Sequence, residues 1–256
     1  MKFFNWVSNF LMSLSIVVVI CITAAQVVCF DNNWYHEEFK KYNVYETVQM
    51  EKTELNRVSE RIIGYLQGSE KELQVSAIVN GKTREFFNQQ EIDHMADVKV
   101  LFDKLLFVRN VSLTIFMITG IYYLFARRVG MQMLDYMPVC FGIIGMIMLL
   151  GVVVGYILMT FNFSGMFTTF HEMLFTNDLW ILDPSTSLLI NILPEGFFAD
   201  SALRIGKYFG IVAIASVFLF PILSYMKSNY EKCSAEAKAN MEKQKAKDRG
   251  KIYVDL

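Results

Sequence analysis

The sequence predicts an α-helical membrane protein: four transmembrane helices and a small α+β extracellular cap made of helices and a β-hairpin. Three observations predict it. Four runs, roughly Phe10–Phe30, Leu106–Phe125, Met137–Phe161 and Ile205–Met226, are apolar and long. A hydrocarbon core takes about 20 mostly apolar residues to cross. The stretch between the first two runs, Asp31–Leu105, is long and mixed enough to fold as a cap. Within it, Asn80-Gly81 joins two alternating runs in ELQVSAIVNGKTREFF, the residue pair of a type I′ hairpin turn.

The first run exceeds the apolar core of a signal peptide, no A-x-A site follows it, and Val28 stands before Cys29 where a lipoprotein signal needs a small residue. It reads as a retained anchor, residues 1–30. In the cap, residues 31–105, Tyr45–Leu66 has helical spacing, with Val48, Leu55, Val58, Ile62 and Leu66 near one face, and Gly68 ends it. A second helix starts at Gln89 and runs without a breaker into the second span. Residues 106–161 hold the second and third spans, 162–204 a second outer segment, 205–226 the fourth span and 227–256 a basic tail. Gly151 and Gly155 form a GxxxG that reads as a helix-packing face.

The charges are segregated, so the near-zero net charge says nothing of partners. Lys2, Arg127, Arg128 and the tail lysines Lys227, Lys232, Lys238, Lys243 and Lys245 fall on one side of a four-span chain, whereas Asn162–Leu203 has no basic residue. Positive residues mark the cytoplasmic side, which puts both termini inside and two segments outside. Arg204 and Lys207 run against the rule.

Several chemistries find no support. Cys21, Cys29, Cys140 and Cys233 form no close pair of the CxxC kind, so they read as small buried apolar residues rather than a disulfide framework or metal site. There is no GxSxG elbow, no phosphate loop and no dinucleotide fingerprint. His36 and His171 begin HEEFK and HEMLF, and neither has the second histidine four residues on that a zinc protease needs. A transporter would carry charged or broken stretches inside its spans, and Leu106–Phe125 and Met137–Phe161 are nearly free of both.

What remains is one unusual outer stretch, FHEMLFTNDLWILDPSTSLLINILPEGFF from Phe170 to Phe198, together with EIDHMADVK before the second span. Glu91 and Asp97 stand three residues either side of His94, where all three can share a helix face. A carboxylate so placed can hold one imidazole N–H and raise the basicity of the other nitrogen. Taken alone, His94 reads more readily as an exposed capping or salt-bridged residue than as a catalytic one, and His171 alone is similarly ambiguous. Together they lie on one outer face near the membrane boundary, where an imidazole could deprotonate an ammonium group. Trp180, Phe170, Phe175, Phe197 and Phe198 suit either an interfacial aromatic belt or the walls of an acyl-chain site.

The strings FFNQQEIDHMADVK, FHEMLFTNDLWILDP and LLINILPEGFF resemble those of the bacterial lipoprotein intramolecular transacylase family, over almost the whole chain except the tail after Lys227. The resemblance implies an enzyme that moves the sn-2 ester-linked acyl chain of a diacylglyceryl lipoprotein to the α-amino group of its N-terminal cysteine, giving the lyso form. It implies two catalytic histidines, matching His94 and His171. On that reading Glu91 or Asp97 orients His94, and Asn177, Asp178 and Asp183 support the site with Trp180 and the phenylalanines as substrate contacts. Ester-to-amide transfer runs downhill, so no cofactor and no metal is expected. The expected partners are lipoproteins and the bilayer, with no nucleic acid, and the expected state is a monomer. The other reading is a non-catalytic membrane protein that binds a lipid or lipopeptide through its cap.

Overall fold

The computed structural model describes residues 2–128 and 136–252; residue 1, residues 129–135 between the second and third spans, and residues 253–256 lie outside the described residues. Four helices are long and apolar enough to cross a membrane: α1 (Lys2–Cys29), α5 (Gln89–Arg128), α6 (Met137–Leu174) and α8 (Glu195–Ile252). Their contacts set directions. Gln26 of α1 and Phe30 just beyond its end meet Arg109 and Phe102 of α5, so those helices run antiparallel. Gly142 and Gly145 of α6 lie against Phe220 and Ser216 of α8, antiparallel again. The end of α1, the start of α5, the end of α6 and the start of α8 therefore gather at one end of the bundle.

That end carries the cap: α2 (Asn32–Lys41), α3 (Val44–Thr47), α4 (Lys52–Gln67), the strands β1 (Ser76–Val79) and β2 (Lys82–Glu85), and α7 (Leu188–Ile192). One apolar core runs through all of it, from Phe39, Leu55, Ile62, Leu73 and Phe86 to Leu189, Ile192 and Phe197. The segment between the first two spans and the segment between the last two thus fold as one body. Helix α2 is fastened to the first turns of α8: Trp34 Nε1 donates to Ser201 Oγ at 2.9 Å, Tyr42 OH to Asp200 at 2.6 Å, and Arg204 pairs with Asp31 at 3.0 Å. The Tyr42 ring seats so closely on Gly196 that a Cβ there would lie 2.5 Å from it.

The hairpin forms in the expected register, with Val79 opposite Lys82 and Ser76 opposite Glu85. Asn80 and Gly81 take φ 51° and 72°, the positive pair a type I′ turn requires. Gly68, at φ 82°, closes α4 as a left-handed cap.

Three expectations change. The helix expected over Tyr45–Leu66 is two helices, because Gln49 turns left-handed at φ 51° and Glu51 starts α4 afresh with extended backbone. The break lets Val48 and Met50 both enter the core. The outer segment expected from Asn162 begins as helix, since α6 continues to Leu174. Asn162 breaks α6 with φ −158° and ψ 77°, and its side chain accepts the Gly165 N–H at 2.9 Å, capping a second helical piece. Gly151 and Gly155 face open space; the close approach of α6 to α8 is at Gly145, where a Cβ would meet Ser216 at 2.8 Å. Close packing of α6 on α8 is therefore at Gly142 and Gly145, on the N-terminal side of that pair.

Candidate active site

His94 lies in the second turn of α5 and His171 in the last turn of α6. Both lie ten or more residues from the apolar runs of their helices, at the end of the bundle that carries the cap. The start of α5 is fixed by a capping box: Asn88 Oδ1 accepts the Glu91 N–H at 2.9 Å and Glu91 Oε2 accepts the Asn88 N–H at 2.6 Å. Glu91 is only 1 % exposed. Its Oε1 accepts Ser187 Oγ at 2.5 Å and the Leu189 N–H at 2.7 Å, tying α5 to the first turn of α7. The carboxyl group is thus fully engaged away from His94, which no hydrogen bond links to it.

The two imidazoles stand 6.2 Å apart between ring centroids, tilted by 37°. Both are nearly buried, at 8 % and 9 % exposure. His171 Nδ1 lies 2.8 Å from the Phe167 carbonyl oxygen one helical turn back. A carbonyl only accepts, so Nδ1 carries the proton and donates it, and Nε2 presents a lone pair. An aromatic shell holds this ring: Phe167 at 4.2 Å, Trp180 stacked at 5.1 Å, Phe170 edge-on at 5.6 Å and Phe175 at 5.8 Å. Phe175 also meets His94 edge-on at 5.3 Å, so one ring spans both histidines.

His94 Nδ1 is buried without a partner. Burial pushes the His94 imidazole down to about 4, helped by the neighbouring His171 and opposed by Asp97. The ring is neutral at physiological pH. An unfolded histidine titrates near 6.5, so between about pH 6.5 and 4 the unfolded chain binds the extra proton and the folded one does not. The neutral-His94 contribution is whole above pH 6.5, is lost progressively as pH falls from 6.5 to 4, and is gone below 4. Acidification from pH 7.5 to 4 is expected to remove up to about 3 kcal/mol of stability through this group. Thermal unfolding in detergent, compared with His94→Phe, measures it; an equal acid loss in the variant would exclude His94 as its source.

The remaining expected residues divide. Asp97 accepts Asn177 Nδ2 at 2.8 Å, joining α5 to the loop after α6. Asp178 is exposed, its carbonyl accepting the Ile181 N–H at 3.1 Å. Asp183 is exposed and caps its own turn through Ser185. Phe198 reaches His171 at one remove, through Phe167 at 5.2 Å. Phe197 is spent in the cap core against Tyr35. Phe167 and Gln90 are additions. Phe167 could have been found at four residues before His171, once that stretch was read as helix. Among the described residues, no group of three His, Cys, Asp or Glu side chains is placed to hold a metal.

A family model described as lipoprotein intramolecular transacylase Lit matches residues 10–198, a stretch containing both histidines. Solved structures of the membrane-integral lipoprotein intramolecular transacylase Lit from Bacillus cereus share the fold. One is 24 % identical, with a TM-score of 0.68, covering 89 % of this chain and 99 % of that one. Two variants of that protein, with a histidine replaced by arginine or by alanine, are each 22 % identical, with TM-scores of 0.67 and 0.66. These two cover 90 % and 89 % of this chain and 96 % of theirs. No curated protein matches the chain. With about three-quarters of the chain inside the family model, the protein belongs to the lipoprotein intramolecular transacylase family.

Proposed function

We propose that the protein moves the sn-2 acyl chain of a diacylglyceryl-modified lipoprotein onto the α-amino group of the same molecule's N-terminal cysteine, with His94 and His171 as the catalytic pair. The observation that carries this reading is the pairing of two differently prepared imidazoles. His171 offers an Nε2 lone pair fixed by the bond from Nδ1–H to Phe167. His94 is a neutral ring with one nitrogen buried and unpartnered.

In this reading the free amine nitrogen attacks the sn-2 ester carbonyl carbon, and the N–H proton passes to His171 Nε2. The tetrahedral oxyanion accepts a hydrogen bond from the ring N–H of His94, a role suited to a neutral imidazole. Collapse breaks the bond to the sn-2 oxygen, which takes the proton back from His171. An amide and a free glycerol hydroxyl result, with no atom gained or lost. Both reactants belong to one molecule, and well-oriented intramolecular reactions reach effective molarities of about 10⁵–10⁸ M. The aromatic shell keeps water from the ester.

The same reading puts the cap and the histidines on the outer face. The termini are cytoplasmic, where the tail carries Lys227, Lys232, Lys238, Lys243 and Lys245. The protein acts as a monomer, its cap formed by residues 31–105 and 162–204. Mass spectrometry of a lipoprotein's N-terminal peptide, from cells with and without the protein, tests the reaction. A lyso form at unchanged total acyl mass is the expected result. A peptide that stays diacylglyceryl with a free amine, despite expression, overturns it.

A further inference from the structure

Gln90, His94 and Asp97 stand at i, i+4 and i+7 on α5, a spacing that puts them on one face. The histidine is in the middle, and the residue on each side grips the same loop. Gln90 Nε2 donates to the Leu179 carbonyl at 3.2 Å and to the Ile181 carbonyl at 2.9 Å. Asp97 accepts Asn177 Nδ2, and Asn177 Oδ1 accepts the Leu179 N–H at 3.1 Å. The residue between the two carbonyls held by Gln90 is Trp180. Its indole stacks on His171 at 5.1 Å with an interplanar angle of 28°. The Leu182 N–H closes the turn onto the Trp180 carbonyl at 3.1 Å.

We infer that Gln90 is a positioning residue of the site, its carboxamide fixing Trp180 against His171 from the helix that carries His94. The inference rests on the acyl-transfer reading for its catalytic consequence, though not for the clasp itself. A primary amide is suited to the task because its one nitrogen bears two N–H donors, one for each carbonyl. The indole face in turn favours the imidazolium that forms when His171 takes a proton, as a cation over an aromatic face. One helix thereby sets both imidazoles in register: His94 directly, and His171 through Gln90 and Trp180.

The test uses the full chain in detergent, with Gln90→Met, which keeps the length and removes both donors, and Gln90→Glu, which turns an acceptor toward two carbonyls. Turnover of a synthetic diacylglyceryl lipopeptide should fall about ten- to a hundredfold in kcat, the cost of a misplaced group at a reacting centre. KM should change little. Tryptophan emission should rise as Trp180 leaves the imidazole that quenches it, and the rise should vanish in a Trp180→Phe background, which removes the signal of interest and keeps Trp6 and Trp34. The kcat losses of Gln90→Met and Trp180→Phe should not multiply in the double variant, because one acts through the other. Unchanged emission, or losses that multiply, overturns the inference. Absence of turnover in the unaltered protein with the emission change intact would sink the acyl-transfer reading and leave the clasp standing.

Discussion

His171→Ala is expected to lower lyso-form production by about 10²–10⁴, the range that general acid–base catalysis contributes. The variant removes the only lone pair that the bond to the Phe167 carbonyl leaves pointing into the shell. It also leaves that carbonyl with its ordinary helical role, so the fold survives. His94→Ala should cost a similar factor for a different reason, the loss of a donor to the oxyanion. The informative variant is the double. Two groups that serve one transition state are strongly non-additive, so the double should be little worse than the poorer single. Rates come from mass spectrometry of a purified lipopeptide, with thermal midpoints confirming folding. A double variant whose loss equals the product of the singles would mean that the histidines serve separate events. A single variant that kept a third of the activity would remove that histidine from the mechanism.

Much of this site was legible along the chain. The four apolar runs set which segments share an end of the bundle, and Asn80-Gly81 and Gly68 marked their turns because both rest on local backbone chemistry. The two histidines were legible as the few titratable rings beside apolar runs. The extent of α6 was hidden. Ser164, Gly165, Thr168 and Thr169 are weak helix formers, so the stretch reads as loop until Asn162 is seen to cap it. That misreading concealed Phe167, whose importance depends on being one turn from His171. The role of Glu91 was obscured by a genuine ambiguity of spacing. A glutamate three residues before His94 can face it, but the same glutamate three residues after Asn88 can turn back to cap the helix. Capping won, because the cap also satisfies donors on α7 that the sequence could not bring near. Likewise, Gly151-Gly155 is a packing pattern, but which glycines meet a neighbour depends on helix rotation, and α8 passes at Gly145.

Glu91→Leu is expected to be the most destabilising single change in the cap. The side chain is buried, and its oxygens accept from the Asn88 N–H, the Leu189 N–H and the Ser187 hydroxyl. Leucine fills most of the volume and orphans all three donors at once. A buried donor left without its partner costs about 1–3 kcal/mol, so a loss of about 3–5 kcal/mol is expected. Ser187 can recover part of it by turning its hydroxyl elsewhere. Glu91→Gln should fall between, since an amide oxygen still accepts but its nitrogen meets another donor. Thermal unfolding in detergent measures the loss, and limited proteolysis over residues 175–193 should report the α7 end opening before the bundle does. These readouts separate two roles for one carboxyl group. A scaffold residue lowers the thermal midpoint first and turnover as a consequence. A residue that tuned His94 would lower turnover at an unchanged midpoint, and that pattern in Glu91→Gln would contradict the hydrogen bonds that assign Glu91 to the cap.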